Sequence, residues 1–497
     1  MFNYYLIKNS KRFLVLTINF LLLIFFTSCV VGPDFKKPET PEIKKYSPNS
    51  NEVDSNSKIY LEKNSQVLVG GQDISREWWK LFESEPLSQL VDRALQTNPN
   101  IKAAKAALTV AQENVLAQYG NFYPNLSANI NPQKQRASKN LAAVTPDNNK
   151  YLFNLYTRQL NVSYMPDIFG LNARTVEYLK AQESEAKFSY IAANLTLTAN
   201  VIAAAIQEAS LREQIDATMQ IIKIDEEIVK LQNNNFSRGL INRVDLLSAE
   251  TQLLQAKALL PTLNSQLEQQ RHLLSVLTGN FPSEDITQKF NLASLKLPKE
   301  LSLSIPSKVV AQRPDIRLAE ESLRAASAQV GIARANRFPN ITITANTGTI
   351  AKQAFTGGAF WSLGANVSQT LFDGGTLLHR EKAAEAAYIE VAETYKATVL
   401  NAFQDVADTL NILEQDSKTL SQITEAKNTA EISLQLTQNN FQIGNSSYLN
   451  VLNSDLQFQQ TRINLAQAEA NQFSDTAALF HSLGGGWWNN VEFADKI

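Results

Sequence analysis

Asn98-Pro99-Asn100-Ile101 opens an Ala-rich run that ends in Phe122-Tyr123-Pro124-Asn125-Leu126, and Arg313-Pro314-Asp315-Ile316 opens another that ends in Arg337-Phe338-Pro339-Asn340-Ile341. Both prolines recur at one offset, 215 residues. Further on, Asn234-Asn235-Phe236-Ser237-Arg238-Gly239 is answered by Asn439-Asn440-Phe441-Gln442-Ile443-Gly444 at an offset of 205 residues. Self-similarity on this scale implies one structural plan used twice, in halves of about 200 residues.

The plan reads helix, strand, strand, very long helix, Gly-centred break, helix. Leu87, Leu90, Val91, Ala94 and Leu95 open a helical stripe that runs to about Gly120, with apolar residues at three- and four-residue steps. A second helix spans roughly Asn172 to Asn233, and its counterpart runs from about Thr376 to Asn439. At 1.5 Å per residue each is on the order of 90 Å long, a length that belongs to coiled coils and helical repeats.

Between the short and long helices the period drops to two, the strand signal. Leu126, Ala128 and Ile130 alternate with Asn125, Ser127 and Asn129, and Leu160, Val162 and Tyr164 with Asn161 and Ser163. Ile341, Ile343 and Ala345 alternate with Thr342, Thr344 and Asn346, and Trp361, Leu363, Ala365 and Val367 with Ser362, Gly364, Asn366 and Ser368. Each segment is about ten residues, enough for a tilted strand to cross a bilayer. Arg158 disturbs the second strand and is read as lying beyond the lipid. A soluble sheet with one wet face gives the same alternation; Ala- and Asn-rich polar faces among long helices fit a water-filled lumen better.

Four strands cannot close a membrane barrel, since the smallest use about eight, and an open edge in hydrocarbon leaves backbone groups unpaired. Two copies supply eight strands and three supply twelve. A pore wider than its own side chains favours the larger number, although the physics alone leaves a dimer open.

The start of the chain has its own logic. Lys8, Lys11 and Arg12 precede an apolar run from Phe13 to Phe26 and then Thr27, Ser28 and Cys29, the layout of a secretory signal. The run is too short to span a bilayer, and nothing later in the chain reads as a transmembrane helix. Cys29 is the only cysteine, so no intramolecular disulfide is possible. Directly after the apolar run it resembles the lipidation site of bacterial lipoproteins, with Phe26 departing from the usual Leu; signal cleavage without lipidation is the alternative. Val30 at the next position favours the outer over the inner membrane by the same resemblance. Without residues 1–28 the net charge is −5, from 43 Lys plus Arg and 48 Asp plus Glu, and no basic stripe points to nucleic acid. Only 18 Gly and 16 Pro interrupt the chain, as extended helices require.

Motifs along most of the chain resemble the TolC-like outer-membrane efflux proteins, in particular their lipoprotein branch of the OprM/NodT type. Cys29-Val30-Val31-Gly32-Pro33-Asp34-Phe35-Lys36-Lys37-Pro38 resembles that branch's mature start, and Trp78-Trp79-Lys80-Leu81-Phe82 with Glu85-Pro86-Leu87 the entry to its first helix. Phe122 to Pro124, Phe169-Gly170, Leu371-Phe372-Asp373-Gly374-Gly375 and the turns at Gly239 and Gly444 complete the match. The resemblance implies a mainly α protein with a membrane β-barrel: a homotrimer whose four strands per protomer form a twelve-stranded barrel, above a periplasmic helical tunnel with a mixed belt. The expected division is a signal peptide at 1–28, a lipidated segment and belt at 29–83, a first repeat at 84–279 with barrel strands at about 125–165, a belt linker at 280–308, a second repeat at 309–483 with barrel strands at about 340–371, and a tail at 484–497.

The resemblance further implies that the glycine turns are periplasmic tips meeting an adaptor protein, with Arg238, Gly239, Leu240, Ile443, Gly444 and Asn445 as docking candidates. Just past the tips, relatives close their tunnel, often with a ring of aspartates. Here those second-repeat positions hold Asn450 and Asn453, Asp245 stands at the place equivalent to Asn450, and Asp455 falls on a different helical face from Asn453. The expected constriction is therefore Asp245, Asn450 and Asn453, less charged than an aspartate ring. Each of these residues also has an ordinary reading, as a hairpin turn or a solvated surface group.

Enzymatic chemistry is not legible. His272, His379 and His481 are far apart, no residue set has metal-ligand spacing, and no GxGxxG, GxxxxGK[ST] or GxSxG occurs. Gly484-Gly485-Gly486 reads as a flexible turn. No cofactor is expected beyond the lipid on Cys29, and transport energy has to come from an inner-membrane pump reached indirectly through the adaptor. The leading function is a passive exit duct for drugs or other small molecules across periplasm and outer membrane. Its rivals are a duct for type I protein secretion and a lipid-anchored coiled-coil scaffold without a pore.

Overall fold

The computed structural model describes residues 30–39, 41, 43–48, 52–54, 57–61, 66–136, 152–353 and 356–489. Cys29, the signal at 1–28 and the end of the tail, 490–497, lie outside the described residues. In chain order the elements are strands β1 (Lys58–Tyr60) and β2 (Val67–Gly70), helices α1 (Glu85–Thr97) and α2 (Pro99–Tyr119), strands β3 (Asn125–Arg136) and β4 (Leu152–Tyr164), and helices α3 (Leu171–Ser237) and α4 (Arg243–Leu277). There follow β5 (Glu300–Leu303), α5 (Pro306–Gln312), α6 (Pro314–Ala335), β6 (Asn340–Gln353), β7 (Thr356–Ser368), α7 (Thr376–Gln442) and α8 (Tyr448–Ser482). The protein is mainly helical. Both long helices, α3 and α7, have 67 residues, and both helices that follow them, α4 and α8, have 35.

The matching prolines do the same work in each half. Pro99 and Pro314 are the first residues of α2 and α6, where a missing N–H costs nothing. Asn98 ends α1 and caps α2, its Oδ1 accepting from Asn100 N at 2.8 Å. The single stripe expected from Leu87 to Gly120 is therefore two helices, broken where proline cannot donate. At the long helices, Asp167 accepts from Asn172 N and Ala173 N, and Asp373 from Gly375 N and Leu377 N, all between 2.7 and 2.9 Å. Both carboxylates meet the unpaired amides and the positive end of the helix dipole.

The chain folds as two compact units. The first draws on the residues before Pro38, Leu108–Ala186 and Ala319–Tyr395. Its sheet is antiparallel throughout, in the order β3-β4-β6-β7. Register separates its faces cleanly. Leu126, Val162, Ala345 and Leu363 stand in one row and Ala128, Leu160, Thr347 and Trp361 in the next row of the same face. The opposite face carries Ser127, Asn161, Asn346 and Ser362 in one row, with Asn346 Nδ2 donating to Ser362 Oγ at 3.2 Å. The strands run 12 to 14 residues rather than ten. Arg158 does not end the pairing: it lies between Ile130 and Thr349 on the face of Leu160, with paired residues on both sides. Its long aliphatic stem can lie along an apolar face while the guanidinium reaches polar surroundings.

In the same unit the N-terminal segment is strapped to the helices. Val31 N donates to Phe169 O at 3.3 Å. The buried Arg174 guanidinium donates to Val31 O, Gly32 O and Asp34 Oδ1, and pairs with Glu177. Lys37 pairs with Glu320 at 3.1 Å, and the Arg324 guanidinium lies 5.4 Å from the Phe35 ring centre. Gly32 passes so close to Gly331 that a Cβ would stand 2.5 Å from its Cα.

The second unit draws on Pro38–Ala107, Lys187–Leu318 and the residues after Tyr395. Three strands too short to announce a period form a sheet ordered β1-β2-β5, in which β2 and β5 run parallel. Trp78 stacks on Phe480 at 5.1 Å, and Phe82, Leu87, Leu90, Ile202, Ile206, Leu274 and Leu301 complete a core with almost no exposure. One stretch of α3 is apolar enough to suit a membrane span, where the sequence reading expected none. Leu197, Val201, Ile202, Ala204, Ala205 and Ile206 place that segment of α3 in this core instead.

Gly484-Gly485-Gly486 is not the flexible turn expected. All three residues have φ between 67° and 97° and pack against other parts of the unit; a Cβ on Gly486 would stand 2.5 Å from Ile74 O and 2.6 Å from Ser75 O. Trp487 Nε1 then donates to Gln312 O at 2.6 Å and Trp488 Nε1 to Asp73 Oδ1 at 2.8 Å. Gly239 also has positive φ, 71°, but faces open space. Gly486→Ala should therefore cost about 3 kcal/mol, from left-handed strain plus overpacking, and Gly239→Ala about 1 to 2 kcal/mol from strain alone. Urea unfolding midpoints compare the two.

Burial and the neighbouring Asp416 carboxylate push the Asp475 carboxyl of α8 up to about 7. The folded chain thus holds a proton that the unfolded chain releases near pH 4. Stability from this site is full below that value, falls as pH rises towards about 7, and is level beyond. Asp475→Asn should flatten this part of the melting-temperature profile and melt higher than wild type at pH 8. An unchanged slope would assign the pH response to other groups.

Candidate functional site

Both long helices end in the second unit, where they stop and reverse through the same backbone device. At the first tip, Gly239 N donates to Phe236 O at 2.9 Å and Leu240 N to Asn235 O at 3.0 Å. At the second, Gly444 N donates to Phe441 O at 3.0 Å and Asn445 N to Asn440 O at 2.8 Å. This double bond across a left-handed glycine satisfies the last carbonyls of each helix. The next helix is capped at once: Asn242 Oδ1 accepts from Asp245 N at 3.0 Å, and Ser447 Oγ from Asn450 N at 3.2 Å.

The six tip residues are exposed, with Leu240 and Ile443 among the most exposed aliphatic side chains of this unit. Asp245 and Asn450 occupy the same place, the third residue of α4 and of α8, and both are exposed. At that place Asp245 also gains from the helix dipole, whatever else it does. Asn453, one turn on, is exposed along a cleft between α3, α4 and α8. Asp455 is held by Gln459 Nε2 at 2.9 Å.

Several residues unmarked in the sequence hold the two hairpins together. Ile224 and Ile228 of α3 pack on Leu452 of α8, with Ala249 of α4 and Leu449 and Leu456 of α8 around them. Tyr448 Oη donates to Glu227, which raises the tyrosine pKa. Arg462 of α8 bridges to Glu213 and, at 3.0 Å, to Asp216 of α3. These pairs are far apart in sequence and match no motif, so only a packed structure brings them together. The geometry presents two equivalent capped hairpins, stapled to each other by an aliphatic cluster and by polar pairs.

A sheet with one apolar and one polar face, continuous with helices about 100 Å long that turn back at glycine tips, defines a class of outer-membrane channel. The family profile described as outer membrane efflux protein matches residues 90–280 and 305–485, well over half of the chain, and the chain belongs to that family. It is an outer-membrane protein. Nodulation protein T of Rhizobium leguminosarum bv. trifolii is 25% identical over 475 residues, 93% of this chain and 96% of the relative. The pyoverdine export outer membrane protein OpmQ of Pseudomonas aeruginosa is 26% identical over 431 residues, 85% of this chain and 90% of the relative. Among solved structures, the outer-membrane channel OprN matches with a TM-score of 0.78 at 24% identity, over 92% of this chain and 100% of that one. The Campylobacter jejuni CmeC outer membrane channel matches with a TM-score of 0.78 at 20% identity, over 92% of this chain and 95% of that one.

The stapling makes a prediction. Arg462→Ala removes the charged bridge from α8 to α3 and leaves Glu213 and Asp216 facing one another. Limited proteolysis should then cut the hairpins severalfold faster, while Lys418→Ala, which breaks only an exposed pair one turn away on its own helix, should leave the rate unchanged.

Proposed function

We propose that three copies of the chain close their sheets into a twelve-stranded barrel and form the outer-membrane duct of a tripartite efflux system, through which small molecules leave passively. The observation that carries this is the sheet. Its apolar face is exposed, Trp361 at 79% and Leu363 at 70%, and strands β3 and β7 end it with unpaired edges 12 and 13 residues long. In hydrocarbon each unpaired backbone group costs several kcal/mol, so the edges require strands from other copies. Three copies make a barrel wide enough for a water-filled lumen lined by Ser127, Asn161, Asn346 and Ser362.

In this reading the duplicated order of elements lets each copy supply two hairpins of one design to the tunnel. The tips at Arg238, Gly239 and Leu240 and at Ile443, Gly444 and Asn445 meet a periplasmic adaptor, which links the duct to an inner-membrane pump. Asp245, Asn450 and Asn453 narrow the tunnel just inside the tips, and a lipid on Cys29 adds a membrane anchor. A small-molecule cargo is supported by the relative named for pyoverdine export; no observation favours secreted proteins or a poreless scaffold. The chain supplies passage rather than chemistry.

Detergent-solubilised protein should have the mass of about three subunits and run on gels as a heat-sensitive band; a monomer in lipid would end this reading. With amides at the constriction, Asn453→Asp should increase cation preference at low salt. Single-channel reversal potentials measure it, and identical values in the two proteins would remove Asn453 from the lumen.

A further inference from the structure

Asp225 of α3 is only 2% exposed, yet its carboxyl has a single hydrogen-bond donor. Oδ1 accepts from Gln252 Nε2 of α4 at 3.0 Å, while Oδ2 is sealed from solvent without a partner. Two turns earlier on the same face, Thr218 is 1% exposed and its Oγ1 is also unpartnered. Both residues belong to the wall of one cleft of about 780 Å³ between α3, α4 and α8. Apart from the Thr262 hydroxyl, the rest of the wall is apolar or carries side-chain amides such as Gln255, Gln457, Gln460 and Asn453, and Asp225 is its only ionisable residue.

The nearby charges are engaged or turned elsewhere. On α3, Glu226 pairs with Lys257 of α4 at 2.7 Å, Glu227 accepts from Tyr448 of α8, and Lys223 and Lys230 are exposed. On α8, Asp455 is held by Gln459. Burial accordingly pushes the Asp225 carboxyl above the usual carboxylate range, and the Gln252 hydrogen bond pulls it partly back. A buried carboxylate with one donor and no counter-charge costs more than the protonated acid, which carries no charge to desolvate.

We propose that Asp225 is a proton-linked latch: α3, α4 and α8 pack around this cleft with the carboxyl protonated, and parting them to widen the passage hydrates it and releases the proton to water. The inference rests on the duct reading above. The O–H bond breaks only on opening, so closure takes up one proton per protomer. Low pH favours the closed packing and higher pH the open one.

Purified wild-type trimers in a planar bilayer test this through their open probability as the pH on the helical-tip side rises from 4 to 7. It should rise severalfold, since a single linked proton is worth up to about tenfold per pH unit between the open-state and closed-state pKa. Asp225→Asn keeps the shape and the Gln252 contact but cannot ionise, and should stay within about twofold of its low-pH value. Gln252→Leu removes the one donor and should move the midpoint to higher pH, a displacement that loss of packing alone does not produce. A trimer band as heat-sensitive as that of the wild type, with unchanged unitary conductance at pH 5, establishes that each variant is folded. A pH response kept intact in Asp225→Asn overturns the latch and leaves the duct standing. Intact trimers that never conduct at any pH overturn the duct, and the latch with it.

Discussion

A peptide group in hydrocarbon has no water to bond with, and that constraint organises the whole chain. In the proposed duct it is the reason the sheet of β3, β4, β6 and β7 is shared between copies. The inner edges of the sheet are paired over most of their length, and the two outer edges are long and open. It also explains the division of side chains. The same pleat that puts Leu126 beside Val162 puts Ser127 beside Asn161 on the opposite face, so one ladder of hydrogen bonds carries an apolar and a polar face.

The helices of the second unit face a different difficulty. Much of α3, α4, α7 and α8 is polar, so these helices cannot rely on an apolar core along their whole length. Cohesion comes instead from local devices: the Trp78–Phe480 stack with its aliphatic surroundings, the Arg462 bridge, the Tyr448–Glu227 bond and the cluster around Leu452. Carboxyls are buried along the way, and Asp225, Glu469 and Asp475 all have their pKa raised, mainly by desolvation. Such groups are uneconomical in a rigid core. They make the packed state sensitive to protons.

Much of this architecture is legible in the sequence, because periodicity and punctuation are local signals. The doubled Pro-Asn-Ile and Pro-Asp-Ile entries mark two helix starts that the structure places at Pro99 and Pro314, and alternation from Asn125 and from Asn340 marks strands at those residues. Gly239 and Gly444 mark hairpins that the structure closes with matching hydrogen bonds. The failures share one cause. A three-residue strand such as β1 has no period to read, and Gly484-Gly485-Gly486 looks loose until Ile74 and Ser75 are brought against it. The apolar stretch of α3 is ambiguous for the same reason, since hydropathy does not say what covers a helix. Of the candidate site, the tip residues and the equivalence of Asp245 with Asn450 are visible in the pattern. Asp225, Tyr448 and Arg462 are not, because their significance lies in partners on other helices.

The strap at Val31 to Asp34 has a consequence for how the molecule is made. Its seat is built from Phe169, Arg174 and Gly331, residues that leave the ribosome long after the strap itself. The bonds to Phe169 and Arg174 cannot form until the start of α3 has been made, and the close pass of Gly32 at Gly331 waits for α6 to join it. Contacts so remote in sequence form late, because loop closure has to precede them. The segment beside Cys29 is thus at liberty while the nascent chain is in transit, accessible to any enzyme that works on extended peptides, and becomes part of the architecture only in the last stages of folding.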